Sequence, residues 1–281
     1  MPSTHTLGSI TVTALLDGTG PFFQPRAAAF DGATEAQWRE ADRRDPDAVG
    51  PDGGWMLPFR AFALRRGDGP VTLVDAGIGP ADALAAGWAP VPGRLPDELA
   101  AAGIDPADVR TVVLTHLHSD HVGWAGPLFG NADHLVQRAE LAALELFHPE
   151  LPARLLGPLR ADGRLRVVDG DTDLTPGVRV LSTPGHTPGH QSVLVEQGDD
   201  RLLVTGDLLV HAIQLIDPAL PYAHEENPPE ARRTRERILR TLSPSSWPPP
   251  PDRPFTPTPT CTPPDPVDHE VGGIFDLRNC R

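Results

Sequence analysis

Four side chains that bind divalent cations crowd into six residues, His116-Leu117-His118-Ser119-Asp120-His121. The run follows directly on Arg110-Thr111-Val112-Val113-Leu114-Thr115, which reads as a strand because β-branched residues dominate it. A lone histidine is most often a satisfied core residue. Three histidines and an aspartate this close are not explained by packing, and imidazole with carboxylate is the donor set of zinc and its first-row neighbours. In an extended or turning backbone His116 and His118 point to one side and share an ion. Asp120 and His121 then lie beyond them, placed for a neighbouring ion. The chain must therefore fold so that strand ends are presented to a common site.

Two later clusters have the same character. In Thr183-Pro184-Gly185-His186-Thr187-Pro188-Gly189-His190, Pro and Gly set a tight turn that presents His186 at a strand end. Thr205-Gly206-Asp207 closes the apolar strand Arg201-Leu202-Leu203-Val204. Strands are also predicted near 10–16, 59–64, 71–75, 164–168, 178–182 and 191–196. Helices are predicted at 82–87, 96–103, 138–147, 152–159 and 229–242, with a short one at 34–43 inside an irregular insert spanning 20–58. Strands, then helices, then strands and a last helix suggest layered sheets flanked by helices.

With these elements in order, the sequence resembles the metallo-β-lactamase superfamily, closest to its methyl parathion hydrolase and quorum-quenching lactonase-like branch. The matching pieces are Leu73-Val74-Asp75-Ala76-Gly77, Thr115 to Gly123, Pro184 to His190 and Thr205-Gly206-Asp207. The resemblance implies an α+β fold, a four-layer αββα sandwich with two zinc ions at the sheet edges. It implies that His116, His118 and His186 hold the first ion, Asp120 and His121 the second, and that Asp207 bridges them. Asp75 matches the family's carboxylate that orients a ligand imidazole. His190, His211 and Trp124 are expected beside the ligands or at the pocket, and the insert aromatics Phe22, Phe23 and Trp55 are candidates for its wall. Lactonases of this branch usually carry a Tyr just after the bridging Asp; here Leu208, Leu209 and Val210 stand there, and Tyr222 is the chain's one tyrosine.

The resemblance also calls for one more histidine about 45 residues after Asp207, and none is present there. His224 comes too early, while Asp252 and His269 lie in a stretch of different composition. From Pro244 to Pro266, 11 of 23 residues are proline, a polyproline-like segment unable to form a helix or central strand. The expected organisation is a catalytic domain over 1–242 and a Pro-rich tail over 243–281, disordered or produced by a reading-frame shift near Ser243. The second ion is then left with three protein ligands, Asp120, His121 and Asp207.

The expected activity is hydrolysis of an ester, lactone or phosphotriester by a hydroxide shared between two cations, with Asp120 also passing a proton to the leaving group. Rival readings are an impaired or inactive protein of the same fold, and a mononuclear iron dioxygenase using His116, His186 and Asp207. A net charge of −14 repels phosphate backbones, so no nucleic-acid partner is expected. Arg232, Arg233, Arg235, Arg237 and Arg240 read as a solvated helix face. No apolar run reaches the roughly 18 residues of a membrane span and no secretory signal is evident, so cytoplasmic residence is expected. All 24 basic residues are Arg, and Ala, Gly and Pro abound, which suggests a bacterial source of high GC content. The only cysteines, Cys261 and Cys280, fall in the tail, so the core needs neither a disulfide nor a thiolate. The expected partners are a small-molecule substrate and, as a candidate, a second copy of the chain.

Overall fold

The computed structural model describes residues 2–147, 156–242 and 274–276. Within them, seven strands follow one another across the first sheet: β1 (Ser3–Leu7), β2 (Ile10–Pro21), β3 (Met56–Arg66), β4 (Val71–Val74), β5 (Val109–Val113), β6 (Asp133–Gln137) and β7 (Leu165–Val168). The first four pair antiparallel; β4 to β7 run parallel. The second sheet holds β8 (Thr172–Thr175), β9 (Val178–Ser182), β10 (Gln191–Gln197), β11 (Asp200–Val204) and β12 (Ile274–Asp276), all antiparallel. Helices are α1 (Arg26–Ala29), α2 (Glu35–Arg44), α3 (Leu95–Ala101), α4 (Ala125–Phe129), α5 (Arg138–Phe147), α6 (Gly157–Ala161), α7 (Ile213–Ile216) and α8 (Pro228–Leu242).

The period-2 geometry of strands sorts their side chains into three apolar layers. Val74, Val113 and Leu135 of the first sheet meet Val193, Val195, Leu202 and Val204 of the second. Their sequence neighbours face outward. Leu73 and Val112 pack with Leu95 and Leu99 of α3, Phe129 of α4 and Leu141 of α5. On the far side Leu194 and Leu203 pack with Ile238, Leu239 and Leu242 of α8. Helix, sheet, sheet, helix is thus the layer order, the αββα sandwich expected. Each buried Leu or Val stabilises it by roughly 1.5–3 kcal/mol.

Several local expectations change. The segment expected as a helix over 82–87 makes one 3₁₀ turn, Leu84–Gly87. α2 forms as expected, begun by a capping box in which Thr34 and Gln37 satisfy each other's backbone N–H groups. β6 was not expected from its sequence, Asp-His-Leu-Val-Gln, because its polar residues hide the pattern; Leu135 and Val136 are nonetheless buried on opposite faces. Arg235 of α8 is buried, not solvated, because helical spacing puts it on the same stripe as Ala231, Ile238 and Leu242. Its charge is matched by Glu225, and it donates to the carbonyls of Pro218 and Leu220 at 3.0 Å each. The other four arginines of α8 are exposed. The start of the helix expected at 152–159, together with His148, Asp252, Cys261, His269, Cys280 and most of the expected tail, lies outside the described residues; within that tail, β12 pairs with β11. No described helix is long and apolar enough to cross a membrane.

Candidate metal centre

In open sheets with parallel strands, sites form beyond the strands' carboxyl ends. β4 and β5 end side by side in Asp75 and in Leu114-Thr115-His116. Across the gap between the sheets, the turn after β9 carries His186 and the turn after β11 carries Asp207. Gln191 joins the two sheets at this end: its N–H donates to the Thr115 carbonyl at 2.8 Å and its amide donates to the Leu114 carbonyl at 2.7 Å. Gly206 lies at φ +53°, and a Cβ there would stand 2.8 Å from both His190 Nε2 and Thr115 Cβ. Only glycine lets Asp207 approach so closely.

Four donor atoms converge. His116 Nε2 and His118 Nδ1 are 2.9 Å apart, and His186 Nε2 is 3.0 Å from the same His118 nitrogen. Asp207 Oδ2 lies 3.2 Å from His186 Nε2 and 3.8 Å from His116 Nε2. Ligand atoms of a tetrahedral zinc ion with bonds of about 2.0–2.1 Å are about 3.3 Å apart, so this spacing fits one ion. Burial, reinforced by the other histidines and at His186 opposed by Asp207, pushes the pKa values of His116 and His186 well below their ordinary range. Burial also lowers His118, against the pull of Asp120 and Asp207. All three are therefore neutral and carry the lone pair a cation needs.

A second group lies beside the first. His121 Nε2 is 3.4 Å from Asp120 Oδ2 and 3.3 Å from Asp207 Oδ1. Asp207 thus turns one oxygen to each group. Burial opposes charge on His121, but Asp120, Asp207 and Asp75 outweigh it and raise its pKa well above the ordinary value. Burial likewise opposes charge on Asp207, and the charge and hydrogen bond of His121 outweigh it, so Asp207 stays ionised.

Supporting residues fix these orientations. Asp75 Oδ2 accepts from His121 Nδ1 at 2.8 Å. His190 accepts the Asp207 N–H on Nε2 at 2.9 Å, while its Nδ1 faces Thr183 Oγ1 at 2.8 Å. Burial holds the His190 pKa near 4, so it remains a neutral acceptor. Two expected pocket residues stand elsewhere. Trp124 turns away and donates its indole N–H to Asp17 at 3.1 Å, against the α3–α5 core. His211 is packed among Phe30, Trp38 and Trp55, where its Nδ1 accepts the Ile213 N–H at 3.1 Å.

Above the ligands opens a cavity of about 530 Å³, walled by Phe22, Phe23, Trp55, Phe59, Trp88 and Tyr222. Tyr222 stacks on His186 with 6.0 Å between ring centres, and burial raises its pKa so that the phenol stays protonated. Three further acids, Asp17, Glu140 and Glu225, are buried without any signal in the local sequence. A β-bulge between Leu16 and Gly18 turns Asp17 inward, where it accepts from the Ile78 N–H at 2.7 Å and the Leu95 N–H at 2.5 Å. Nothing in the local sequence marks such a carboxylate, because its donors come from distant loops.

Two donor groups sharing one carboxylate at the paired ends of a β-sandwich define a class of metal-binding fold. The sequence model of the metallo-beta-lactamase superfamily matches residues 61–270, and the chain belongs to that superfamily. An N-acyl homoserine lactonase of a Bacillus species is 40% identical over 103 residues, covering 37% of this chain and 39% of the relative. The N-acyl homoserine lactonase AttM of Rhizobium radiobacter is 37% identical over 140 residues, 44% of this chain and 51% of the relative. The chain thus spans about two fifths to one half of the curated relatives it matches. Among solved structures, hydrolase AbOPH of the β-lactamase superfamily superposes with a TM-score of 0.69 at 25% identity, covering 86% of each chain. AidC, described as a dizinc quorum-quenching lactonase in complex with a product, shares the fold with a TM-score of 0.66 at 20% identity, covering 87% of each chain.

Proposed function

We propose that this protein is a metal-dependent hydrolase of small neutral lactones that carry an apolar acyl chain, N-acyl homoserine lactones first among them. The observation that carries the reading is Asp207, whose two oxygens face two separate donor groups 3.2–3.8 Å and 3.3 Å away. In this reading His116, His118, His186 and Asp207 hold one ion, and Asp120, His121 and Asp207 hold the other. Three neutral imidazoles and a carboxylate suit zinc. Such ions supply Lewis acidity and lower the pKa of water toward neutrality.

The chain's own residues do the rest. In this reading Asp120, which lines the cavity, carries a proton to the leaving alkoxide. The aromatic wall excludes water and binds an apolar acyl chain. The acidic surface, with a net charge of −14, disfavours polyanionic substrates. The lactonases among the relatives support a lactone as the scissile group. A mononuclear iron centre on His116, His186 and Asp207 would leave Asp120 and His121 without a role, which favours hydrolysis over oxygenation.

The test is zinc-loaded protein assayed for ring opening of N-hexanoyl homoserine lactone, with aryl esters and phosphotriesters as comparators. Zinc-dependent lactone turnover that exceeds both comparators in kcat/KM is expected. Zinc-loaded protein that opens no lactone overturns the reading.

A further inference from the structure

The two loops that carry the imidazoles of the first ligand group belong to different sheets, yet one side chain outside both grips them. Glu140 lies in the first turn of α5 and is 4% exposed. Its Oε1 accepts the backbone N–H of Leu117, the residue between His116 and His118, at 3.0 Å. Its Oε2 accepts the Thr187 hydroxyl at 2.7 Å and the Gly189 N–H at 2.9 Å, in the turn that holds His186 and His190. The contact is close: a Cβ on Gly189 would lie 2.2 Å from the Glu140 nitrogen and 2.6 Å from its Cβ.

We propose that Glu140 is the positioning residue of the first ligand group, a carboxylate clamp that sets the distance between the His116–His118 loop and the His186 turn. The argument is geometric. Leu117 is bonded covalently to both of its neighbouring ligands, and Thr187 to His186, so fixing these backbones fixes where three imidazoles originate. A carboxylate is needed because all three incoming groups are donors; a glutamine amide nitrogen would meet a donor on one side. Glu140 touches no ligand atom, so it acts before any ion binds, by keeping the donor nitrogens at one spacing. Ligand groups displaced by a fraction of an ångström bind an ion more weakly, and losing partners beyond the direct ligands typically costs about 10–100-fold in affinity.

The proposal rests on the metal-centre reading, and its test separates the two. Zinc dissociation constants are measured by competition with a chromophoric chelator for wild type, E140Q, T187V and a control, L7A, which destabilises the buried β1–β2 hairpin at the end of the first sheet opposite the ligand loops. Folding of each apo protein is checked by circular dichroism and its Tm. The expected result is zinc affinity about 10–100-fold weaker in E140Q, weakened by a smaller factor in T187V, and unchanged in L7A at a comparable loss of Tm. T187V keeps the Leu117 and Gly189 bonds, so it decides the matter if E140Q does not fold: unchanged zinc affinity in T187V overturns the proposal. Wild-type affinity in a folded E140Q, or an equal loss in L7A, overturns it as well. Wild-type protein that binds no zinc overturns the metal-centre reading and this proposal with it.

Discussion

Asp75 Oδ2 meets His121 Nδ1 at 2.8 Å, and the same carboxylate takes the Thr115 N–H at 2.7 Å and the Thr115 hydroxyl at 2.9 Å. One acid therefore fixes the proton of His121 on Nδ1, turns its Nε2 toward Asp120 and Asp207, and ties down the end of β5. Asp75 itself sits at φ +60°, a left-handed conformation that aspartate tolerates better than most residues. Replacing it with Ala is expected to weaken metal binding at the His121 group by about 10–100-fold, with the His116 group affected less. Stepwise zinc titration followed by calorimetry checks this. Two unchanged binding steps would contradict it.

Removing the ions, or a ligand, is expected to remove activity rather than the fold. The three apolar layers hold sheets and helices together with no ligand side chain among them, although Leu117, Val122 and Leu208 extend them to the ligand loops. Prolonged chelation should abolish turnover, and added zinc should restore it. His116→Ala should reduce zinc-loaded activity to background while circular dichroism stays that of wild type. Full activity in that variant would rule out a metal-centred reaction.

His211 makes stability depend on pH. Burial, with Arg26 nearby, holds its pKa near 4, against about 6.5 in an unfolded chain. As pH falls below 6.5 the unfolded chain takes up this proton before the folded one does. The contribution is therefore complete above pH 6.5 and is lost progressively down to pH 4, by up to about 3 kcal/mol. Protonation of Nδ1 would also break the bond it accepts from Ile213. Urea unfolding at pH 7 and pH 4.5 should show a smaller pH-dependent loss in His211→Gln than in wild type.

The buried pair of Arg235 with Glu225 should be costly to break from one side. Both side chains are about 1% exposed, and Arg235 also holds the carbonyls of Pro218 and Leu220, in the loop that leads to Tyr222. Arg235→Ala leaves Glu225 buried without its countercharge, a loss of roughly 3–5 kcal/mol. Arg235→Met paired with Glu225→Gln should recover part of it. Chemical denaturation of wild type and the two variants measures both effects. Because the loop carries a pocket wall, KM should rise in Arg235→Ala.

Gly206→Ala tests the close approach of Asp207. The added methyl would press on His190 Nε2 and Thr115 Cβ at 2.8 Å. Overpacking of this kind costs roughly 1–3 kcal/mol. The shift should fall on Asp207, so zinc affinity should drop along with Tm. A variant with lowered Tm and wild-type zinc affinity would show that Asp207 does not depend on this contact.

The ligand types and most of the strands that carry them follow from neighbouring residues in the chain. Three histidines and an aspartate in six residues can be read without a structure, because their spacing along one backbone already limits where the donors point. His186 and Asp207 were legible for a related reason: each closes an apolar strand through a turn of Pro or Gly, and such turns sit at strand ends. β10 and β11 carry consecutive apolar residues, Val193-Leu194-Val195 and Leu202-Leu203-Val204, the pattern of strands buried on both faces. Tertiary structure alone decided which polar residues are buried and what they hold. Arg235 looks like one more arginine on a charged helix until the packing of α8 puts it on the inner stripe. Trp124 and His211 stand near ligands in sequence, but their chain directions carry them into the cores behind the site. Asp17 and Glu140 give no local signal, because their partners are backbone N–H groups 20 to 80 residues away. Short-range chemistry is written in neighbouring residues. The satisfaction of a buried charge depends on every loop that closes around it, and only the folded chain brings those loops together.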